Sequence, residues 1–543
     1  MIRQQRWTTA LCGFWLFLLS HCGIAGFGQS SSTSGGGGVI STDEVVGGNV
    51  SELTRTSGGM SVSFSDLADD EEIILLLYSF DESNAIQGFQ LGSENAPESS
   101  YLISNLLEEE GLSTEIEGVE DLTGELHDAL RGFEEAIPAD ATVAEQSAAV
   151  SGLKFSTTGS QKSFQVLSSF SNSSSFETVT ATLRYQNEDF EFYVDERDEA
   201  ALSDAELEAL ADDFSASLPK EREFFGDESD VNGDGKFAVL FTEVVNKLGG
   251  SSGGIVTGFF YAIDLFDTSQ YSNSNEMEVF YTFVPDPSGE YGSTVSKDFA
   301  LTNILPGVLP HEFQHMINFN QHYFVNAGSS ESGWLNEGLS HLAEDLYSLD
   351  GNDYMTASGL ENPARVASYL SSISNICFTC GTSLSQRGGS YLYLRYLYEQ
   401  AENGEIPGAL SGSELIGNLL NTNRRGIDNV IYAAFGSSGT DEDFKATLGL
   451  FSLAIYLSNS GLSDDERLNF GGINLRGLQD DNRGTVLTGP QVQNVSTLPF
   501  TDTLTGTAVT YMKISGASLT ESGGVLDLGF VDSADFSGFA IRR

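Results

Sequence analysis

Positive charge is scarce in this chain of 543 residues, in which 25 lysine and arginine side chains face 78 aspartate and glutamate side chains. The formal net charge is −53. Because proteins that bind nucleic acid or anionic membranes need a basic surface, the composition argues against both functions. Hydrophobic residues make up 40% of the chain, enough for a folded core. The excess acid therefore lies on the surface of a folded protein, where salt screens its self-repulsion.

Long hydrophobic runs are absent except near the N-terminus. Arg3 and Arg6 precede an apolar stretch, Trp7–Leu19, which has the size of a signal-peptide core and is too short to span a bilayer. The leucine three residues before Cys22 resembles a bacterial lipoprotein signal, in which the cysteine is lipidated. Cleavage after Ala25, which follows small residues at the required spacing, is the alternative.

A serine- and glycine-rich run follows at residues 30–38 and behaves as a flexible tether, which suits a lipid anchor. We therefore predict a lipoprotein-type signal peptide at residues 1–22 and a tether at 23–45. Cys22 would anchor an exported protein at the bacterial cell surface or outer membrane; plain secretion is the alternative.

Cysteine is nearly absent from the rest of the chain, where only Cys377 and Cys380 remain. A zinc site built on this CxxC pair would need two more thiolates or histidines nearby, and the sequence offers none. Outside the cytosol such a pair forms a disulfide. We predict a small structural disulfide loop.

Histidine is also rare, and four of the six histidines lie between residues 311 and 341. His311 and His315 are four residues apart, so on a helix both imidazoles can bind one metal ion. Glu312 then lies beside the open position of that metal, where it can deprotonate a metal-bound water. The pattern predicts a zinc site on a helix that begins at about Leu309-Pro310.

A catalytic zinc site usually has a third protein ligand. The metzincin continuation is excluded because Asn318 replaces its glycine and His322 misses the position of its histidine by one residue; His322 is therefore predicted at the surface. The other option is a carboxylate from a second helix. Glu337 lies in such a helix, and the 21 residues between His315 and Glu337 leave room for a connecting loop.

The segments HEFQHMINF and WLNEGLSHLAEDL together resemble the gluzincin metallopeptidases, and most of all the hyicolysin-like family of secreted bacterial metalloproteases. Weaker similarity to this family extends over roughly the middle three-fifths of the chain. The resemblance implies an α+β, thermolysin-type domain with a small mixed sheet and a helical C-terminal subdomain. It also implies peptide-bond hydrolysis, with Zn²⁺ held by His311, His315 and Glu337 and with Glu312 as the general base.

The sequence departs from thermolysin-type relatives at His341, where they have an aspartate that supports a ligand histidine. His341 lies one helical turn after Glu337 and projects from the same face. It could stabilise the oxyanion of the transition state, which is the catalytic role we predict for it. It could instead be a metal ligand oriented by Glu337, or an ordinary helical histidine.

We predict β-rich accessory domains on both sides of the catalytic domain: an N-terminal accessory or pro-domain at residues 46–155, the catalytic domain at 156–482 and a C-terminal β domain at 483–543. Within the first, Ile73–Tyr78 reads as a fully buried strand. Within the catalytic domain, a strand at Glu276–Phe283 precedes the active helix and is predicted as the edge strand that aligns an extended peptide.

An aspartate-rich loop matches the first half of an EF-hand. Asp230, Asn232 and Asp234 supply oxygen ligands at positions 1, 3 and 5, and a glycine follows at position 6. Position 12, which should be a bidentate glutamate, is Phe241. The loop predicts either a Ca²⁺ site or a simple turn that leads into the next strand.

Taken together, the sequence predicts an exported zinc endopeptidase that hydrolyses extracellular proteins or peptides through a zinc-bound water activated by Glu312. No GxMEN-like motif for a free N-terminus precedes HExxH, which favours an endopeptidase over an aminopeptidase. One alternative is a surface-anchored binding protein or adhesin on a peptidase scaffold without turnover, which Glu312 disfavours. Another is a zinc hydrolase that acts on something other than peptides.

Overall fold

The computed structural model describes residues 50–93, 95–97, 122–144, 157–170, 175–250, 254–346, 362–479, 484–520, 523–531 and 534–543. The predicted signal peptide, the tether and Cys22 lie outside these residues. All described residues fall within one unit of the chain, Val39–Arg543. None of their helices is long and apolar enough to cross a membrane.

Within the ranges just given, the chain forms sixteen strands and a set of helices. The strands are β1 (Val50–Glu52), β2 (Thr54–Arg55), β3 (Gly59–Ser63), β4 (Glu72–Ser79), β5 (Ile86–Leu91), β6 (Gln161–Ser169), β7 (Ser175–Gln186), β8 (Phe190–Asp195), β9 (Phe237–Phe241), β10 (Gly258–Phe260), β11 (Val279–Thr282), β12 (Gln493–Val495), β13 (Phe500–Thr505), β14 (Val509–Ser515), β15 (Val525–Phe530) and β16 (Phe536–Arg542). The principal helices are α1 (Leu122–Glu135), α2 (Asp204–Phe225), α3 (Glu243–Leu248), α4 (Leu305–Phe319), α5 (Gly333–Leu346), α6 (Asn362–Ser371), α7 (Leu384–Glu402), α8 (Gly412–Leu420), α9 (Gly426–Phe435) and α10 (Asp441–Leu457).

Two five-stranded sheets are built jointly by the two ends of the described chain. Their orders are β1-β16-β4-β14-β12 and β13-β5-β15-β3-β2. The segments predicted as separate β domains at 46–155 and 483–543 therefore share both sheets, because β4 pairs with β14 and β16 and β5 pairs with β13. The boundaries drawn for the three domains stay a prediction.

Strand β4 connects this pair of sheets to the rest of the fold. Its alternate residues Ile73, Leu75 and Leu77 pack into the core between the two sheets. Ile74, Leu76 and Tyr78 point the other way, into the large core that contains the helices. Because both faces are covered, the whole run is apolar, which confirms the predicted buried strand.

The third sheet is mixed, with six strands in the order β10-β11-β9-β8-β7-β6. The edge strand on the side of the active helix is β10, which pairs antiparallel with β11; β6 forms the other edge. The prediction that Glu276–Phe283 forms the edge strand was wrong, because its strand, β11, lies one place inside the sheet between β10 and β9. Only three residues of β10 pair, too short a run to be recognised in a glycine-rich stretch of sequence.

Helix α4 packs on this sheet and carries the HExxH residues. Its Phe313 ring stacks on Phe237 of β9, with 4.6 Å between the ring centroids. The helix begins at Leu305, four residues before the predicted start, and Pro310 lies inside it. Pro306, at the second position, costs little, because the first N–H groups of a helix lack helical partners in any case, whereas Pro310 removes one N–H from the helix interior.

Candidate metal centre

Two helices bring the predicted metal ligands together. On α4, His311 and His315 point their Nε2 atoms at one another, 3.1 Å apart. On α5, Glu337 places Oε2 3.6 Å from His311 Nε2 and Oε1 3.5 Å from His315 Nε2. All three side chains are buried. Helix α5 can approach α7 closely because residue 338 is glycine: a Cβ there would lie 2.7 Å from Leu394 Cδ1.

The three donors fit a tetrahedral zinc ion. Ligands bound at the usual distances from such an ion lie about 3.3–3.5 Å from one another, close to the separations found here. Glu337 Oε2 makes no hydrogen bond to any described residue although it is buried. A buried carboxylate oxygen without a donor is costly unless a cation lies beside it. The residues present therefore fit a metal ion.

The balance of buried charges also supports a metal ion at this site. The buried carboxyl groups of Glu134, Glu312 and Glu337 surround a single buried guanidinium, that of Arg131. Burial raises the pKa of Glu134 and of Glu312 to about 7 in each case. With all three carboxyl groups ionised, one guanidinium would leave two negative charges, which a divalent ion would neutralise, so a bound metal would favour the ionised forms of Glu134 and Glu312.

Protonation at the site is coupled to metal binding. Burial would raise the pKa of Glu337, but the neighbouring His127 and His315 hold it well below its usual value. Burial and Arg131 lower the pKa of His315. Burial would also lower the pKa of His311, yet the nearby carboxylates of Glu337 and Glu344 raise it to about 9. Two of the donors are thus ready to bind a metal, and His311 would release a proton on binding.

The general base predicted at residue 312 lies against the edge strand. Glu312 Oε2 accepts a hydrogen bond of 2.8 Å from the backbone N–H of Phe260 in β10. The contact depends on Gly258, since a Cβ there would lie 2.7 Å from Val308 Cγ1 and 3.2 Å from Glu312 Cγ. The short edge strand therefore fixes the carboxylate beside the metal ligands.

The two histidines of α4 are held by polar partners. His311 Nδ1 lies 3.0 Å from Glu344 Oε1, and His315 Nδ1 lies 2.9 Å from Asn336 Oδ1. Such partners fix the ring orientation of a ligand histidine. Glu344 thus contacts the histidine that, in the predicted thermolysin-type pattern, an aspartate four residues after the ligand glutamate would support. It was missed because it lies seven residues after Glu337 instead.

His341 lies behind His311 and outside the group of donors around Glu337. Its Nδ1 atom is 2.7 Å from Glu344 Oε1, and its ring centroid is 4.7 Å from that of His311. His311, His341 and Glu344 form a second buried group whose atoms could hold a metal. This geometry favours support of Glu344 over direct contact with a substrate, and the oxyanion role stays a prediction.

The expected surface position of His322 was wrong. The chain after α4 continues as a π-helical turn, Asn320–Val325, which carries His322 into the interior. There its Nε2 lies 3.6 Å from Glu331 Oε2. It takes no part in either metal-binding group of the described residues.

Sequence reasoning missed a third histidine at the centre. His127 of α1 lies with its Nδ1 2.8 Å from Glu337 Oε1, and it joins His311, His315 and Glu337 in one buried group of donor atoms. Arg131, one turn later, places Nη1 2.9 Å from His315 Nδ1. One feature of the sequence could have revealed this helix: its titratable residues His127, Arg131 and Glu134 are spaced to lie on one face of an amphipathic helix.

The aspartate-rich loop forms a turn. Asp230 Oδ1 accepts the backbone N–H of Gly235, Asn232 Oδ1 accepts that of Asp234, and Asp234 Oδ1 accepts that of Lys236. Hydrogen bonds of this kind are typical of Asx turns, so a turn alone accounts for the composition of the loop. Calcium stays a prediction.

The predicted disulfide is confirmed, because Cys377 and Cys380 are joined by their sulfur atoms. Cys377 is buried, and its sulfur lies 3.6 Å from Thr507 Oγ1, just before β14. The small loop therefore packs the segment between α6 and α7 against the C-terminal strands.

Comparison with known proteins gives one relative of known activity. The chain is 27% identical over 233 residues to the neutral metalloprotease ShpI of Staphylococcus hyicus, a match that covers 42% of this chain and 49% of the relative. The chain thus spans about half the length of the relative that it matches. No protein-family profile matches the sequence. The similarity supports a place for this chain among the metallopeptidases.

Proposed function

We propose that the protein is an exported zinc endopeptidase of the gluzincin, hyicolysin-like type. The observation that carries the proposal is the convergence of His311, His315 and Glu337, whose donor atoms lie 3.1–3.6 Å apart beside the buried carboxyl group of Glu312. A binding protein would have no use for a general base held in this place. The partial similarity to a metalloprotease supports the same function.

In this proposal each residue has a defined task. When bound, zinc supplies Lewis-acid polarisation of the scissile carbonyl and makes water more acidic. Glu312 takes the proton from the attacking water and passes it to the leaving amine. The Phe260 N–H aims the Glu312 carboxylate, while Glu344 and Asn336 fix the rings of His311 and His315.

Extended peptides are the substrates that the sheet suits best. Strand β10 ends the mixed sheet, and the residue that contacts Glu312 belongs to it. An extended peptide added to such an edge pairs through its main chain, which gives affinity with little dependence on side chains. We therefore expect cleavage within extended or unfolded segments of proteins.

The test compares wild type with Glu312→Gln. Metal analysis of both purified proteins should give about one zinc per chain, because the three ligands are unchanged. Casein hydrolysis should occur in wild type only and should stop when a chelator removes the metal. The two measurements together separate the metal site from the general base.

Three other outcomes would contradict part or all of the proposed function. Zinc in both proteins without any peptide hydrolysis would indicate a non-peptide substrate or a binding role on a peptidase scaffold. Equal hydrolysis by wild type and Glu312→Gln would remove Glu312 from the mechanism. A wild-type protein without zinc would overturn the proposal.

A further inference from the structure

Residues 122–144, here called the strap, lie across the metal centre. On one side, Thr382 Oγ1 donates hydrogen bonds to Gly124 O and Asp128 Oδ1 in α1. On the other side, the backbone N–H of Ala144 donates to Leu265 O, and that of Asp267 donates to Thr142 O. The strap therefore joins the helices around α7 to the segment that follows edge strand β10.

The strap brings a fourth donor residue, a histidine, to the three proposed metal ligands. His127 Nδ1 lies 2.8 Å from Glu337 Oε1, and the ring is edge-on to His311 with 5.9 Å between centroids. One atom from each of His127, His311, His315 and Glu337 lies within 4.8 Å of the others. Four protein ligands are typical of closed zinc sites, whereas a catalytic site keeps one position free for water.

Charged residues on the same face of α1 close the remaining space. Arg131 and Glu134 are 3% and 2% exposed, and their side chains lie 3.3 Å apart. Arg131 Nη1 also reaches to 2.9 Å from His315 Nδ1. Arg131 Nε lies 4.0 Å from Glu337 Oε1. This face of α1 thus fills the space beside two of the proposed metal ligands.

The end of the strap lies near the edge strand at which a substrate would pair. Val143 forms an antiparallel bridge with Phe266, which follows β10 after one helical turn, Ala262–Leu265. The strap therefore contacts the segment next to the edge to which an extended peptide would add. With the strap in place, His311, Glu312, His315 and Glu337 are each no more than 5% exposed. A substrate carbonyl has no access to them in this state.

We propose that the strap is a built-in inhibitor, in which His127 acts as the fourth metal ligand and α1 fills the active-site cleft. The inference rests on the proposed zinc endopeptidase function. Hydrolysis then requires the strap to move away, so that the position held by His127 becomes free. The wild-type rate reflects the small fraction of molecules in which the strap is open.

The test compares wild type, His127→Ala, His127→Asn and, as a matched control, Glu125→Ala at an exposed position of the same helix. Three quantities are measured on the full protein: the zinc dissociation constant by chelator competition, hydrogen exchange of the strap amides, and the rate of casein hydrolysis. The asparagine variant keeps a polar side chain and guards against misfolding of the alanine variant.

Both His127 variants should bind zinc roughly 10–100-fold more weakly than wild type and exchange the strap amides faster. If the open state holds about a tenth of the molecules or fewer, freeing the strap should raise hydrolysis about tenfold or more at saturating zinc. Glu125→Ala should match wild type in all three measurements.

Several results would overturn the inference while leaving the proposed function in place. Hydrolysis lost in both His127 variants, with unchanged zinc affinity, would make His127 a catalytic group. Equal rates in wild type and the variants, at any level, would show that the strap does not inhibit. Absence of zinc from wild type would instead remove the proposed function itself.

Discussion

Glu344 Oε1 lies 3.0 Å from Nδ1 of His311, on the edge of the imidazole opposite to the Nε2 atom that faces His315. The same oxygen lies 2.7 Å from Nδ1 of His341, and the other carboxylate oxygen lies 2.9 Å from Arg365 Nη1. One carboxylate thus connects a proposed metal ligand, the histidine next to it and a balancing cation.

Replacing this carboxylate should weaken metal binding. We expect Glu344→Gln to raise the zinc dissociation constant by roughly 10–100-fold, because His311 loses the partner that fixes its ring and increases its basicity. Competition with a chromophoric chelator measures the change. Arg365→Gln is the matched control, since it removes the cation but keeps the contact with His311, and its zinc affinity should stay near that of wild type. Equal losses in both variants would mean that charge balance, rather than the orientation of His311, controls affinity.

Removing the metal should lower the thermal stability of the protein. Bound zinc neutralises buried carboxylates, and a ligand present at about 100 times its dissociation constant stabilises the folded state by about 2.7 kcal/mol. Scanning calorimetry with and without a chelator should therefore show a lower Tm for the metal-free protein. The variant Glu337→Gln should show little response to the chelator. An unchanged wild-type Tm would indicate that the site holds no metal.

The convergence of the proposed metal ligands on α4 and α5 could be predicted because its signal is local. His311 and His315 are one helical turn apart, and Glu337 lies in the next predicted helix. Strand β4 could be predicted for the same reason, since a strand buried on both faces is a continuous apolar run.

Contacts between distant parts of the chain could not be predicted in this way. His127 lies 210 residues before Glu337, and nothing in a single sequence shows which amphipathic helix covers which site. The pairing of β4 with β16 joins the two ends of the described chain and has no local signature. The position of β10 at the sheet edge was missed because only three residues pair.

Gly258 should matter for both stability and hydrolysis. A Cβ at this position would lie 2.7 Å from Val308 Cγ1 and 3.0 Å from Tyr281 O, so β10 must move away from α4. We expect Gly258→Ala to cost about 1–3 kcal/mol in the free energy of unfolding, measured with urea. The Phe260 N–H would move from Glu312, so kcat should also fall.

Two further variants control this prediction. Gly417→Ala, in helix α8 with open space around the added methyl group, should leave kcat unchanged and raise stability by up to about 1 kcal/mol. Adding Val308→Ala to Gly258→Ala should restore part of the lost stability, because it removes the nearest clash. Failure of this rescue would place the strain at Tyr281 instead.

Salt should stabilise the fold, because the formal charge of −53 leaves most surface carboxylates without a cation nearby. The Debye length falls from about 30 Å at 0.01 M to about 3 Å at 1 M ionic strength, so added NaCl removes long-range repulsion in the compact state. Surface pairs such as Lys513–Glu72, at 3.1 Å, lose strength at the same time, but each contributes little. Urea denaturation at increasing NaCl should therefore give a rising midpoint, and sucrose, which leaves charges unscreened, should not reproduce the dependence on ionic strength. A midpoint that falls with NaCl would mean that the ion pairs outweigh the repulsion.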